Sequence, residues 1–134
     1  MNRALHDSLF ELYIDGGSEL MTPGTRGLKR ELIIDLETTA LTPEMGEIVR
    51  FRAVNRRDEN DEFDSWAKPT IPLTAEAERI LDVTNEQLAR CTPGDLVLDQ
   101  FLDFIDGAEL VGDRLEFDLA FLKAAISGKY NKKP

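Results

Sequence analysis

Apolar positions along the chain follow one rhythm before about residue 70 and another after it. Leu32-Ile33-Ile34 is a β-branched and leucine run of the kind found in a central strand buried on both faces. Turn residues Thr42-Pro43-Glu44-Met45-Gly46 follow, and a second strand is expected over Glu47–Val54. The polar stretch Asn55–Asn60 reads as a hairpin connection into a third strand around Glu62–Lys68. Three strands in sequence, joined by short turns, predict an antiparallel meander.

Pro69 and Pro72 end that pattern, and helical spacing replaces it. Helices are expected over Thr74–Leu81 and Thr84–Arg90, where Thr84 and Gln87 have capping-box spacing. Thr92-Pro93 offers a cap and a first-turn proline to a third helix, in which Val97, Leu98, Phe101, Leu102 and Ile105 repeat at three and four. Ala108–Gly112 fits a short strand, and Phe117–Ile126 a last helix with Phe117, Phe121 and Leu122 inward. The order βββ, helices, β, α predicts a mixed α/β sheet with flanking helices.

Upstream, Ala4, Leu5, Leu9, Leu12 and Tyr13 predict a short amphipathic helix over Ala4–Ile14, ended by Asp15-Gly16-Gly17-Ser18. Leu20–Lys29, rich in Thr, Pro, Gly and Arg, reads as a loop. The expected division is therefore an extension over 1–29 and one domain over 30–134. With 134 residues, 42% of them hydrophobic, that domain can bury a real core.

Charge narrows the function. There are 26 acidic residues against 16 basic ones, a net charge of −10, which disfavours sequence-blind binding along a phosphate backbone. Any contact with nucleic acid has to be local. The single Cys91 excludes an intrachain disulfide, no N-terminal stretch reads as a signal peptide or membrane span, and a reducing cytoplasm is expected. No Cys/His pairs stand at zinc spacing, and the one histidine, His6, is far from the motifs.

Asp35 and Glu37, in "LIIDLETTAL", lie one residue apart and so project from the same face of a strand. Like charges at that spacing are tolerated when exposed or when a cation sits between them. A D-x-E triplet by itself usually marks a solvated strand end. Asp118, in "LVGDRLEFDLAFL", is an acid near a helix start, where exposed N–H groups favour it. If the strand before it lies beside the first strand, the three carboxylates gather as a set suited to hard divalent cations and phosphodiester cleavage.

The ordered series "IIDLETTAL", "EIVRFRAV", "IPLTAEAERILDVTNEQL", "PGDLVLDQFLDFI" and "AELVGDRLEFDLAFL" resembles the DEDD-type, DnaQ-like 3′–5′ proofreading exonucleases, over about Leu32–Lys123. The resemblance implies a ribonuclease H-like mixed sheet, a three-strand antiparallel meander plus a further strand, with flanking helices. It implies that Asp35, Glu37 and Asp118 are catalytic metal ligands and that Thr38, Thr39 and Leu41 pack around a terminal nucleotide. It further implies two Mg²⁺ or Mn²⁺ ions roughly 3.5–4 Å apart, a histidine that activates water, and a nucleoside 5′-monophosphate product.

Several positions depart from the family pattern. The third motif, with the general-base histidine and a fourth aspartate, is not found between Asp118 and Pro134, so the fold is expected to be incomplete at its C-terminus. Asp113-Arg114 stands where the family has His-Asn, Leu81-Asp82 where it has His-Gly, and Ala40 where it has glycine. A glutamate and a small residue of the second strand are replaced by Arg50 and Arg52. Arg50, Arg52, Arg56 and Arg57 read in one way as a local basic patch; in the preferred way Arg50 and Arg52 are the solvated or ion-paired face of a strand. Asp113 reads as a replacement ligand or, preferably, as a capping acid. Phe63 and Trp66 read as core rather than as stacking platforms.

The resulting expectation is an exonuclease-like domain for a single-stranded 3′ end, weak or inactive alone. Loss of a general base typically costs ~10²–10⁴ in rate. The alternatives are a non-catalytic module that docks a polymerase, a nuclease subunit or a second copy, and a half-site whose missing His and Asp come from a partner. A missing strand-and-helix portion would leave apolar surface or a sheet edge to be covered.

Overall fold

The structure is a computed structural model and describes residues 29–130. The helix expected over Ala4–Ile14 lies outside the described residues. Four strands form one sheet: β1 (Glu31–Thr38), β2 (Ile48–Asn55), β3 (Asp58–Trp66) and β4 (Glu109–Val111), in the order β3-β2-β1-β4. β1 to β3 make the antiparallel meander, and β4 adds parallel to β1. The helices are α1 (Ala75–Leu81), α2 (Asn85–Ala89), α3 (Gly94–Ile105) and α4 (Leu115–Tyr130). None among the described residues is long and apolar enough to cross a membrane.

One face of the sheet carries the core. Leu32, Ile34 and Leu36 of β1 pack with Phe51 and Ala53 of β2, beneath Val97, Leu98, Phe101, Leu102 and Ile105 of α3 and Phe121, Leu122 and Ile126 of α4. The strand expected to be buried on both faces is buried on one, since Ile33 is 40% exposed between two buried neighbours. A three-residue apolar run does not distinguish these cases; the period-2 alternation is resolved only when Asp35 and Glu37 are included with the face of Ile33.

The hairpin between β2 and β3 is tighter than its polar sequence suggests, because the strands extend to Asn55 and from Asp58. Asn55 makes the turn: its side-chain oxygen accepts from the Arg57 N–H at 2.9 Å, and its Nδ2 donates to Asp61 at 3.0 Å. At the other end β3 stops at Trp66, and Lys68 instead forms an isolated parallel bridge to Pro93. That bridge revises the start of α3. Pro93 occupies the N-cap position with no side-chain cap, so Thr92 is not the cap, and the Gly94 N–H donates to the Lys68 carbonyl at 3.1 Å.

The two short helices follow their sequence signals. Thr74 caps α1 by accepting from the Ala77 N–H at 3.1 Å, and Thr84 with Gln87 closes the expected capping box on α2. Asn85 ties the two together through Leu73, accepting from its N–H at 2.7 Å and donating to its carbonyl at 2.9 Å. Val49, Leu73, Val83 and Leu88 fill a satellite core beneath them, with half-buried Trp66, while Phe63 joins the main core beside Phe101 and Phe104.

α1 ends on Asp82, at φ 56° and ψ 45° the left-handed residue of its C-cap. A Cβ is disfavoured there, and Asp is tolerated because its short side chain is polar. Ala40, by contrast, is not at positive φ, so the turn after Thr39 makes no demand for glycine. We expect Asp82→Gly to raise stability by about 0.5–1 kcal/mol, read as a higher midpoint in urea. An unchanged or lower midpoint would show that the cap is not strained.

Candidate functional site

β1 delivers its two acids to the sheet face opposite the core, because successive side chains alternate. The antiparallel register sets Asp35 directly across from Arg52, and Glu37 directly across from Arg50. Both acids consequently meet a guanidinium. Arg50 Nη1 lies 3.1 Å from Glu37 Oε2, and Arg52 Nη1 lies 3.9 Å from Asp35 Oδ2.

Asp64 on β3 completes the ladder. It takes Arg50 in a two-pronged pair, Nε at 3.0 Å and Nη2 at 2.9 Å, and Arg52 Nε at 3.6 Å. The Arg50 guanidinium also sits 4.9 Å above the Trp66 ring. The hydrogen bond to Asp64 is the main reason the Arg50 pKa is pushed upward, and the same bond holds the Asp64 carboxyl below the usual carboxylate range. Arg56 and Arg57 both pair with Glu31, at 3.4 and 3.8 Å. Each of the four arginines is thus ion-paired, and for Arg50 and Arg52 this is the ion-paired strand face of the preferred reading.

The third acid arrives from α4. A Cβ on Gly112 would stand 2.9 Å from the Ile34 carbonyl oxygen, so only glycine lets the chain leaving β4 lie this close to β1. The first turn of α4 is thereby brought to the end of β1. Asp118 there is 1% exposed, and its Oδ1 has no hydrogen-bond partner among the described residues. Burial, and next the charge of Asp35, push its carboxyl up to about 6, against the opposing pull of Arg114 and the Leu36 backbone.

A cleft of about 720 Å³ opens beside these groups, lined by Asp35, Glu37, Thr38, Thr39, Leu41 and, across from them, α1 residues with Arg114 and Phe117. The residues expected to surround a terminal nucleotide do meet there, though the threonine hydroxyls are engaged in the loop. Thr38 Oγ1 donates to the Ala40 carbonyl at 2.7 Å, and Thr39 Oγ1 accepts from the Glu47 N–H at 2.9 Å. Exposed apolar side chains stand among the lining residues: Leu41 is 83% exposed and Ile80 70%.

Glu47 holds the walls in place. Its carbonyl accepts from the Thr39 N–H at 2.9 Å, and its carboxylate accepts from the N–H groups of Thr70 and Ile71 at 2.9 and 3.1 Å. Two residues of the cleft escape a reading of the sequence alone. Ile80 reads there as an ordinary helix position, and Arg114 only as a departure from a pattern. In the structure the Arg114 guanidinium lies 4.6 Å over the Phe117 ring, at the mouth of the cleft. Asp113 beside it is exposed in the turn before α4.

Whether these residues suit divalent cations can be judged from the donor set. The unpartnered Oδ1 of Asp118 is what a ligand atom awaiting a cation looks like. Asp35 and Glu37, however, already face guanidinium groups, and among the described residues no three of His, Cys, Asp and Glu stand together closely enough to hold a metal. The set as arranged does not fit a two-cation site.

Comparison with known proteins gives a consistent picture. A family model described as Exonuclease (RNase_T) matches residues 32–133. DNA polymerase III PolC-type of Thermotoga petrophila is 31% identical over 97 residues, covering 71% of this chain and 7% of that protein. DNA polymerase III subunit epsilon of Pasteurella multocida is 31% identical over 102 residues, covering 69% of this chain and 40% of that protein. The chain therefore spans less than half the length of either relative. The structure of a moderately thermophilic exonuclease I from Methylocaldum szegediense superposes with a TM-score of 0.65 at 14% identity, over 79% of this chain and 26% of that one. That likeness shows the fold, the ribonuclease H-like mixed sheet with its flanking helices.

Proposed function

Since the chain belongs to the RNase_T exonuclease family, in the DEDD group, we propose that it is an exonuclease-like domain that receives the 3′ end of a single strand in the cleft beside Leu41 and Ile80, with weak or no hydrolysis of its own. The observation that carries this is the convergence of Asp35, Glu37, Thr38, Thr39 and Leu41 on one cleft whose acids are already paired with arginines. The exposed Leu41 and Ile80 side chains supply apolar surface for a terminal base. Arg114 supplies a cation for a phosphate, and its stack on Phe117 keeps it at the mouth. Asp35 and Glu37, each facing an arginine, repel an approaching phosphodiester less than free carboxylates would.

The test is a 3′-labelled single-stranded oligonucleotide offered to the whole chain. Binding is expected in EDTA, weakened about tenfold by Arg114→Ala, as loss of one phosphate contact allows. With Mg²⁺ or Mn²⁺, the cations the family resemblance implies, turnover is expected to be slight. Rapid 3′ digestion that disappears in Asp35→Ala would overturn the reading of weak activity, and absence of binding would overturn the end-binding role.

A second reading rests on apolar side chains around the cleft. Leu41, Met45, Ile71 and Ile80 are all exposed on the loops and helix that border it or lie next to it. They would suit a docking module for a polymerase, a nuclease subunit or a second copy, including a partner that contributes a histidine and an aspartate to the site. A concentration-independent monomer by light scattering would count against self-association, and nuclease activity restored by a co-expressed partner would favour completion in trans.

A further inference from the structure

We propose that Arg50 and Arg52 are the resident counter-ions of Glu37 and Asp35, holding the place that the family resemblance gives to divalent cations, so that this acid pair takes up such cations only weakly. The inference rests on the reading of the cleft as a nuclease-type site and specifies how this chain's version of it differs.

Three observations support it. The cross-strand register puts one guanidinium opposite each carboxylate, which makes the pairing a property of the β1–β2 ladder rather than of a chance side-chain excursion. Arg50 is held by three partners, through two bonds to Asp64, one to Glu37 and the Trp66 ring, and cannot easily swing away to make room for another cation. The ladder also carries less charge than its acids alone: Asp35, Glu37 and Asp64 supply three negative charges and the two arginines two positive ones, a net of −1 that attracts a dication less than bare carboxylates would. A cation bridging Asp35 and Glu37 would lie within a few ångströms of both guanidinium groups and be repelled by each.

Calorimetric titration of the whole chain with Mn²⁺ alone tests this. Arg50→Gln/Arg52→Gln is expected to bind Mn²⁺ about 10–100-fold more tightly than wild type, from removal of two like charges at close range. Adding Asp35→Asn to that variant should abolish the gain. Because Arg50 also braces Trp66 and Asp64, the double variant must keep the wild-type near-ultraviolet circular dichroism. If it does not fold, Arg52→Gln decides, since Arg52 makes only longer contacts, and a gain of about 3–10-fold is expected. No gain in the folded arginine variant overturns the proposal, whatever the wild-type affinity. Oligonucleotide binding measured separately in EDTA reports on the end-binding role, so failure of one leaves the other result standing.

Discussion

Asp118→Asn is expected to make the protein more stable at pH 7 in EDTA, by roughly 2–3 kcal/mol. In the folded chain the carboxyl is pushed from its ordinary 3.8 to about 6, chiefly by burial. A group whose folded pKa is raised stabilises the fold fully below its unfolded pKa and loses that contribution as pH rises through the folded value. For Asp118 the loss runs between about pH 4 and pH 6, and above it the chain carries a buried charge whose Oδ1 has no partner among the described residues. The wild type should therefore weaken as pH rises across that window, and the isosteric neutral variant should stay flat. Asp61 and Asp64 act oppositely, since their depressed pKa values give stability that is lost only as pH falls below the usual carboxylate range. Urea midpoints taken from pH 4 to 8 separate the effects; parallel curves for wild type and variant would refute the prediction.

Phe101→Ala is expected to destabilise the chain by about 3–5 kcal/mol. Phe101 is 0% exposed on α3, and its ring meets Phe51 at 5.3 Å and Phe63 at 5.5 Å between centroids. Those rings belong to β2 and β3, so the side chain joins the helix layer to two strands of the meander. Truncation loses the transfer free energy of the ring, leaves a cavity that three elements must collapse into, and forfeits two aromatic contacts. Against a typical domain stability of about 5–15 kcal/mol, the variant should populate unfolded chains measurably near room temperature. A denaturation midpoint within about 1 kcal/mol of wild type would mean that the core relaxes around the vacancy.

Most of the fold could be read in the sequence where one residue type has one local use. Thr84 and Gln87 announce their capping box three residues apart, and the Val97 to Ile105 stripe names the buried side of α3 without reference to anything else. Features that depend on a second element were less visible. Ile33 has the same chemistry as Ile34, and only the placement of α3 and α4 decides which one is covered. Thr92-Pro93 carries a capping signature, yet the bridge to Lys68 shifts the helix start by one residue.

The site divides in the same way. Asp35, Glu37, Thr38, Thr39 and Leu41 sit together because they are neighbours in sequence, and their convergence on the cleft was foreseeable. Asp118 required the parallel addition of β4 to β1, which the motif order implied. The partners of the acids were not foreseen one by one. Counting inward from the Thr38–Ile48 pair would set Val49 against Glu37; the register shift between Glu37 and Thr38 is what brings Arg50 there instead. A one-residue slip exchanges every partner across the ladder.

Glu47, set at the mouth of β2, gives the cleft a mechanical property. The same residue grips the segment after β1 through Thr39 and the segment leading to α1 through Thr70 and Ile71. The two sides of the cleft therefore share one anchor. A change of length in the Thr42–Gly46 turn would displace Glu47 and carry α1 with it, so the gape of the cleft is set by a turn of which no residue lines it.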